Sequence, residues 1–227
     1  MSELTLAALA FLGLHLLPST PLRGWAMARL GEKAYTGLFS LAAIASLVWL
    51  AMAYNDAPFG DMLWVTGEVW RWINAGLMLL LFVLLIGGAT SPNPASVMAG
   101  QTLKREEPWR GVFAITRHPV MWATGLWALL HLINRPEPAA LVFFGALALL
   151  AIGGTWLQDR RKARELGADW ERFAAHTSFV PFAALAAGRA KLSLRDLGWW
   201  QPAVAVVLWA AVLLFHRLLF GVPAVPV

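Results

Sequence analysis

Residues 70–89 read WRWINAGLMLLLFVLLIGGA, twenty positions with a single charge, Arg71, near the start. At 1.5 Å per residue a helix of this length covers about 30 Å, the hydrocarbon thickness of a bilayer. The stretch therefore predicts a transmembrane helix. Working outward from it, two further apolar stretches precede it, at 4–22 and 35–54. Three follow, at 119–133, 138–157 and 200–220. The fourth is short, and it draws on Arg117 and His118 at one interface and on Asn134 and Arg135 at the other. The expected fold is all-α: a polytopic integral membrane bundle of about six transmembrane helices, forming one domain over 1–227.

Composition agrees with that reading. Hydrophobic residues make up 59% and charged residues 14%, against about 25% charged in soluble domains. Intrinsic disorder needs low hydrophobicity and high net charge, and is excluded. The chain has no cysteine, which removes disulfides, thiolate metal sites, covalently attached haem and a cysteine nucleophile.

The net charge is +5. Its distribution points to topology and not to nucleic acid. Arg23, Arg29 and Lys33 follow the first stretch, and Lys104, Arg105, Arg110 and Arg117 follow the third. Arg160, Arg161, Lys162, Arg164, Arg172, Arg189, Lys191 and Arg195 follow the fifth. The alternate connections and ends hold only Arg71, Arg135 and Arg217. Cytoplasmic loops are the lysine- and arginine-rich ones. Both termini are thus expected outside the cytoplasm, in a bacterial inner membrane. Only Ser2 and Glu3 precede the first apolar run, so no basic region of a signal peptide is expected there. Trp64, Trp70, Trp72, Trp199 and Trp200 flank apolar stretches, as interfacial aromatic belts do. On the basic side, 167–176 reads as a short helix with Trp170 and Phe173 on one face. Residues 181–188 read as a docked or surface-lying helix.

Chemistry rests on few residues. His15, His131 and His216 lie within apolar stretches, and an ionisable group at membrane depth marks a candidate site. No Asp or Glu lies inside a stretch, which excludes a carboxylate-bridged iron pair. A site ligated by histidine alone remains, and haem b fits it because the porphyrin supplies four ligands. Arg117, Arg135 and Arg217 are the cations within reach of haem propionates. Where the basic loop meets the fourth stretch stands Thr116-Arg117-His118-Pro119. Proline suits a helix first turn, and Arg117 can grip a carboxylate or phosphate with two parallel bonds. Arg117 and His118 are the candidate catalytic pair. Nucleotide-binding and serine-nucleophile motifs are missing.

Several motifs occur together and in order. They are Gly13-Leu14-His15, Gly31-Glu32-Lys33-Ala34-Tyr35, Ile115-Thr116-Arg117-His118-Pro119, Leu130-His131, Asp159-Arg160-Arg161 and Thr177-Ser178-Phe179-Val180-Pro181-Phe182. This combination resembles the NnrU family of bacterial membrane proteins, linked to denitrification. It is also similar to the 15-cis-zeta-carotene isomerases. That resemblance implies haem b with His15 and His131 as axial ligands, and cis–trans isomerisation of an apolar polyene such as a carotenoid. The isomerases have a cysteine three residues before the second histidine; here Ala128 stands there, so a ligand switch through it is impossible. His176 has no counterpart and reads as a surface residue. By rise per residue His15 and His131 differ in depth by about 10 Å. His216 sits nearly level with His131, which makes His131 and His216 the geometric runner-up pair.

Two other readings stand beside this one. Arg117-His118-Pro119, followed by Gly167-Ala168-Asp169-Trp170-Glu171-Arg172-Phe173, is similar to isoprenylcysteine carboxyl methyltransferases. Arg117, His118 and Glu171 would then hold S-adenosylmethionine, although Val120, Met121 and Trp122 stand where that pattern has a tyrosine. The other reading is a non-catalytic assembly or regulatory factor of the denitrification enzymes.

Overall fold

The structure is a computed structural model that describes residues 1–94 and 102–226. It is all-helical among these residues, with no strand. Part of the connection after the third apolar stretch, residues 95–101, lies outside the described residues. Among the described residues five helices have the length and apolarity to cross a membrane: Ser2–Ser19, Glu32–Asn55, Glu68–Thr90, Pro138–Leu166 and Trp200–Phe220. The predicted fourth span forms a helix, Pro119–Asn134, of 16 residues, about 24 Å long. The chain divides into two compact units.

Unit 1 comprises residues 1–65 and 128–158. It contains α1 (Ser2–Leu16), α2 (Leu22–Leu30), α3 (Glu32–Asn55), the end of α5 (Pro119–Asn134) and α6 (Pro138–Leu149). The first helix stops earlier than predicted. Pro18 opens a 3-10 turn, Leu17–Ser19, because proline removes a backbone donor and clashes with the preceding turn. The basic segment after it is not a loop but the helix α2. α1 packs against both α3 and α6. Its buried stripe of Leu4, Ala7, Ala8 and Phe11 meets Leu50, Ala53, Ala57, Ala139 and Ala146. Small residues let helices approach closely, and packing of this kind replaces the hydrophobic effect inside a bilayer. On α3 the opposite face, Leu41, Ile44, Val48 and Met52, is exposed, as a lipid-facing surface is. A π turn, Leu150–Gly154, follows α6.

Unit 2 comprises residues 66–127 and 159–227. α4 (Glu68–Thr90) lies along α11 (Trp200–Phe220), its most extensive helix partner. Trp209 donates from Nε1 to the Ala75 carbonyl at 2.8 Å, and Arg71 donates to the Pro223 carbonyl at 2.9 Å. Gly87 and Gly88 make room at the end of α4. A Cβ at Gly88 would stand 2.7 Å from Pro119 Cγ and 2.9 Å from Val120 Cγ2. α7 (Thr155–Leu166) ends the span Pro138–Leu166, and α8 (Ala168–His176), α9 (Ala183–Ala186) and α10 (Leu194–Leu197) follow it in turn. The predicted helix at 167–176 is α8, and its Trp170 and Phe173 are buried as expected. They pack with Leu103, Val112, Phe113 and Leu197 into a hydrophobic core.

Candidate functional site

Two of the motifs that stand far apart in sequence are joined by hydrogen bonds in unit 2. Arg117 N–H donates to the Ser178 carbonyl at 3.0 Å, and Phe182 N–H donates to the Ile115 carbonyl at 2.8 Å. The Thr116 hydroxyl donates to the Phe179 carbonyl at 2.8 Å. The Ser178 hydroxyl accepts the Ala184 N–H at 3.0 Å. Thr116 and Ser178 are buried, and pairing is what makes such burial tolerable. Phe182 adopts φ +67 at the start of α9. That left-handed conformation is uncommon for a bulky residue, and the bond to Ile115 holds it there.

This frame presents Arg117 and His118 to Asp159. The guanidinium grips the carboxylate with two parallel bonds, Nε to Oδ1 and Nη2 to Oδ2, each 2.6 Å. His118 Nε2 adds a third bond to Oδ1 at 2.7 Å. Fork geometry of this kind is the strong form of the arginine–carboxylate pair. The His118 side chain is 1% exposed, and its ring lies between Trp170 and Phe179 at 6.3 and 5.8 Å. Burial pushes its imidazole below the ordinary histidine range, and the bond to Asp159 only partly opposes that shift. The ring is therefore neutral near pH 7, with Nε2–H donated to the carboxylate and Nδ1 left as the lone pair.

The arrangement is a closed ion-pair cluster. Arg117 spends its fork on Asp159, so it does not offer that fork to a cofactor carboxylate. Glu171, the third residue of the methyltransferase reading, is exposed on α8. Asp159 is the residue that reading by motif alone undervalues. It is the sole carboxylate between Glu137 and Glu165. A buried Arg-His pair needs a counter-charge, and the fold brings Asp159 to it.

The other histidines have different surroundings. His15, in the last turn of α1, has Nδ1 2.8 Å from the Phe11 carbonyl. A bond to a carbonyl requires Nδ1–H, which leaves Nε2 as the lone pair. Its ring meets Phe11 at 4.3 Å and Phe39 at 6.3 Å. His131, also in unit 1, stacks on Phe144 at 4.9 Å. Leu16 meets the Cβ position of Gly154 at 3.7 Å, ten residues beyond Phe144. At the helical rise this sets His15 and His131 roughly 15 Å apart along the axis. His216, in unit 2, donates Nδ1–H to the Val222 carbonyl at 2.7 Å. His176 is half-buried and stacks on Trp109 at 4.0 Å. Among the described residues no three or more His, Asp or Glu side chains converge as a metal cluster.

In donor chemistry His15 fits haem iron. An axial imidazole typically gives its other N–H to a backbone carbonyl, which fixes the tautomer and raises ligand basicity. Two of the three cations expected at propionates are already in ion pairs, Arg117 with Asp159 and Arg135 with Glu137.

The NnrU protein family profile matches residues 3–224. The chain is 38% identical over 164 residues to a chloroplastic 15-cis-zeta-carotene isomerase of Arabidopsis thaliana, covering 70% of this chain and 44% of that protein. It is 35% identical over 168 residues to the chloroplastic 15-cis-zeta-carotene isomerase of Zea mays, covering 71% and 44%. The chain thus spans under half the length of the curated relatives it matches. No solved structure matches it.

Proposed function

The chain belongs to the NnrU family, and from that premise we propose that it is a haem b-binding membrane isomerase acting on one cis double bond of a polyene. The substrate class comes from the isomerases it is similar to. The single observation that carries the haem reading is His15: an imidazole in an apolar helix whose Nδ1–H is spent on the Phe11 carbonyl. In this reading His15 and His131 would hold the haem iron.

Held by these residues, a reduced haem would supply the electron density that lowers the rotation barrier of one double bond of the polyene. The protein's own residues do the rest. Phe11 holds the His15 tautomer, and Phe144 holds the face of the His131 ring. The apolar helices exclude water and admit a hydrocarbon. Thr116 and the backbone at Arg117 and Phe182 tie Ile115–Arg117 to 178–182, and Arg117 and His118 act as positioning residues that hold this segment against Asp159. In the same reading the basic connections are cytoplasmic and both termini lie outside.

The test is conversion of a 15-cis polyene in liposomes containing the purified full chain and a reductant, followed by the ratio of cis to trans isomers. Protein-dependent and reductant-dependent loss of the 15-cis form is expected. A ratio unchanged by reduced, haem-loaded protein would remove the isomerase assignment.

A further inference from the structure

The end of unit 1 where α5 turns into α6 carries a second polar group, Glu137, beside the rings that pack on His131. Glu137 is the residue before Pro138 at the start of α6, and its side chain is 5% exposed. Arg135 Nε donates to Glu137 Oε1 at 2.7 Å. Oε2, the other carboxylate oxygen, is buried and has no hydrogen-bond partner. A charged acceptor without a donor in a low-dielectric setting costs free energy, and native structures rarely leave one so. An aromatic cluster lies beside its partner Arg135. Tyr54 stacks on Phe143 at 4.5 Å and meets Phe59 and Phe144 edge-on at 5.5 and 5.9 Å. The Arg135 guanidinium lies 5.8 Å over the Phe59 ring. The connection 59–64 is tied over this end by Leu63 N–H to the Pro136 carbonyl and by Trp64 Nε1 to the Ile133 carbonyl.

We propose that Glu137 Oε2 is the acceptor of a binding site for the hydroxyl group of a neutral, membrane-dissolved alcohol or phenol. Three properties fix the class. The oxygen is an acceptor only, so the ligand must donate. Arg135 already balances the carboxylate charge, so the ligand is neutral; a cation would meet the guanidinium. An aromatic cluster lies beside Arg135 and the helices are apolar, so the ligand arrives from the bilayer. Quinols and hydroxylated isoprenoids share this chemistry. A hydrocarbon polyene has no O–H and does not fill the site, so the proposed substrate and this ligand are different molecules.

The experiment uses the full chain in nanodiscs. Three probes are titrated: a short-tailed quinol, its di-O-methyl ether, and a long-chain aliphatic alcohol. Saturable binding of the quinol or of the alcohol is expected, and which of the two binds more tightly identifies the source of the hydroxyl. The ether should bind at least about tenfold more weakly, as should the hydroxylated probe to Glu137→Gln, because a hydrogen bond to a charged group is lost. Infrared difference spectra supply a second readout. Binding should shift a carboxylate stretch in the native protein, and Glu137→Gln should lack that shift. Equal binding of quinol, alcohol and ether, or a probe-induced carboxylate shift that survives in Glu137→Gln, overturns the proposal. So does the absence of saturable binding by any hydroxylated probe, since Oε2 would then be satisfied by water alone.

Discussion

Asp159 gains its importance from what surrounds it. One carboxylate accepts three N–H bonds from Arg117 and His118, and removing it leaves a partly buried guanidinium without a counter-charge. Asp159→Asn is therefore expected to destabilise the protein by about 2–4 kcal/mol, seen as a lower thermal midpoint in detergent. Arg117→Lys should also lower it, since an ammonium cannot reproduce the two parallel bonds. The pH dependence has a definite sign. His118 is held below its unfolded range, so the unfolded state binds the proton more readily. Its contribution is fully present above about pH 6.5 and is lost as pH falls below that value towards the folded-state pKa. Thermal midpoints measured from pH 8 to pH 5 should fall on the acid side, and His118→Gln should flatten the slope. An equal slope in both proteins would remove His118 from the explanation. Much of this cluster is legible residue by residue: Arg117 and His118 stand out beside Pro119. Asp159 is not, because a charge run after an apolar stretch looks like a topology signal, and only the fold brings it to the arginine.

At the scale of elements, periodicity and apolar length locate the helices well and their ends less well. The helix carrying 70–89 runs Glu68–Thr90, and the one carrying 200–220 runs Trp200–Phe220. α1 ends at Leu16 because Pro18 cannot continue it, although the residues from 17 to 22 carry no charge and so extend the stretch that reads as membrane. The π turn at Leu150–Gly154 leaves no sequence pattern of its own: one extra residue in a turn does not disturb an unbroken apolar run. Gly88 gives an element-level test. Its missing Cβ admits Pro119 and Val120, so Gly88→Ala should cost about 1–3 kcal/mol through overpacking. Gly76, with nothing within 4 Å of its Cβ position, is the control. Gly76→Ala should leave stability unchanged or raise it slightly by helix propensity.

For the whole molecule, apolar blocks alternating with basic connections are enough to specify a membrane protein. What they leave open is where histidines from different helices meet. Spacing along a chain gives depth but not direction, and a helix can turn a ring towards a neighbour or towards lipid. Topology is testable on the native background because the chain has no cysteine. A single cysteine at Lys104 or at Arg164 should resist an impermeant reagent added outside intact cells and react after permeabilisation. Labelling from outside would invert the orientation.

Haem binding is the claim on which the functional account turns, and an absorption spectrum tests it most directly. The full chain, expressed with haem precursor and purified in detergent, is expected to show a Soret band at near-stoichiometric haem. His15→Ala and His131→Ala should each lower the haem-to-protein ratio and move the band, with His176→Ala unchanged. Loss of haem in His216→Ala with retention in His15→Ala would transfer the ligand role to the alternative pair. A native protein that is folded, supplied with haem and still without a Soret band would contradict the account.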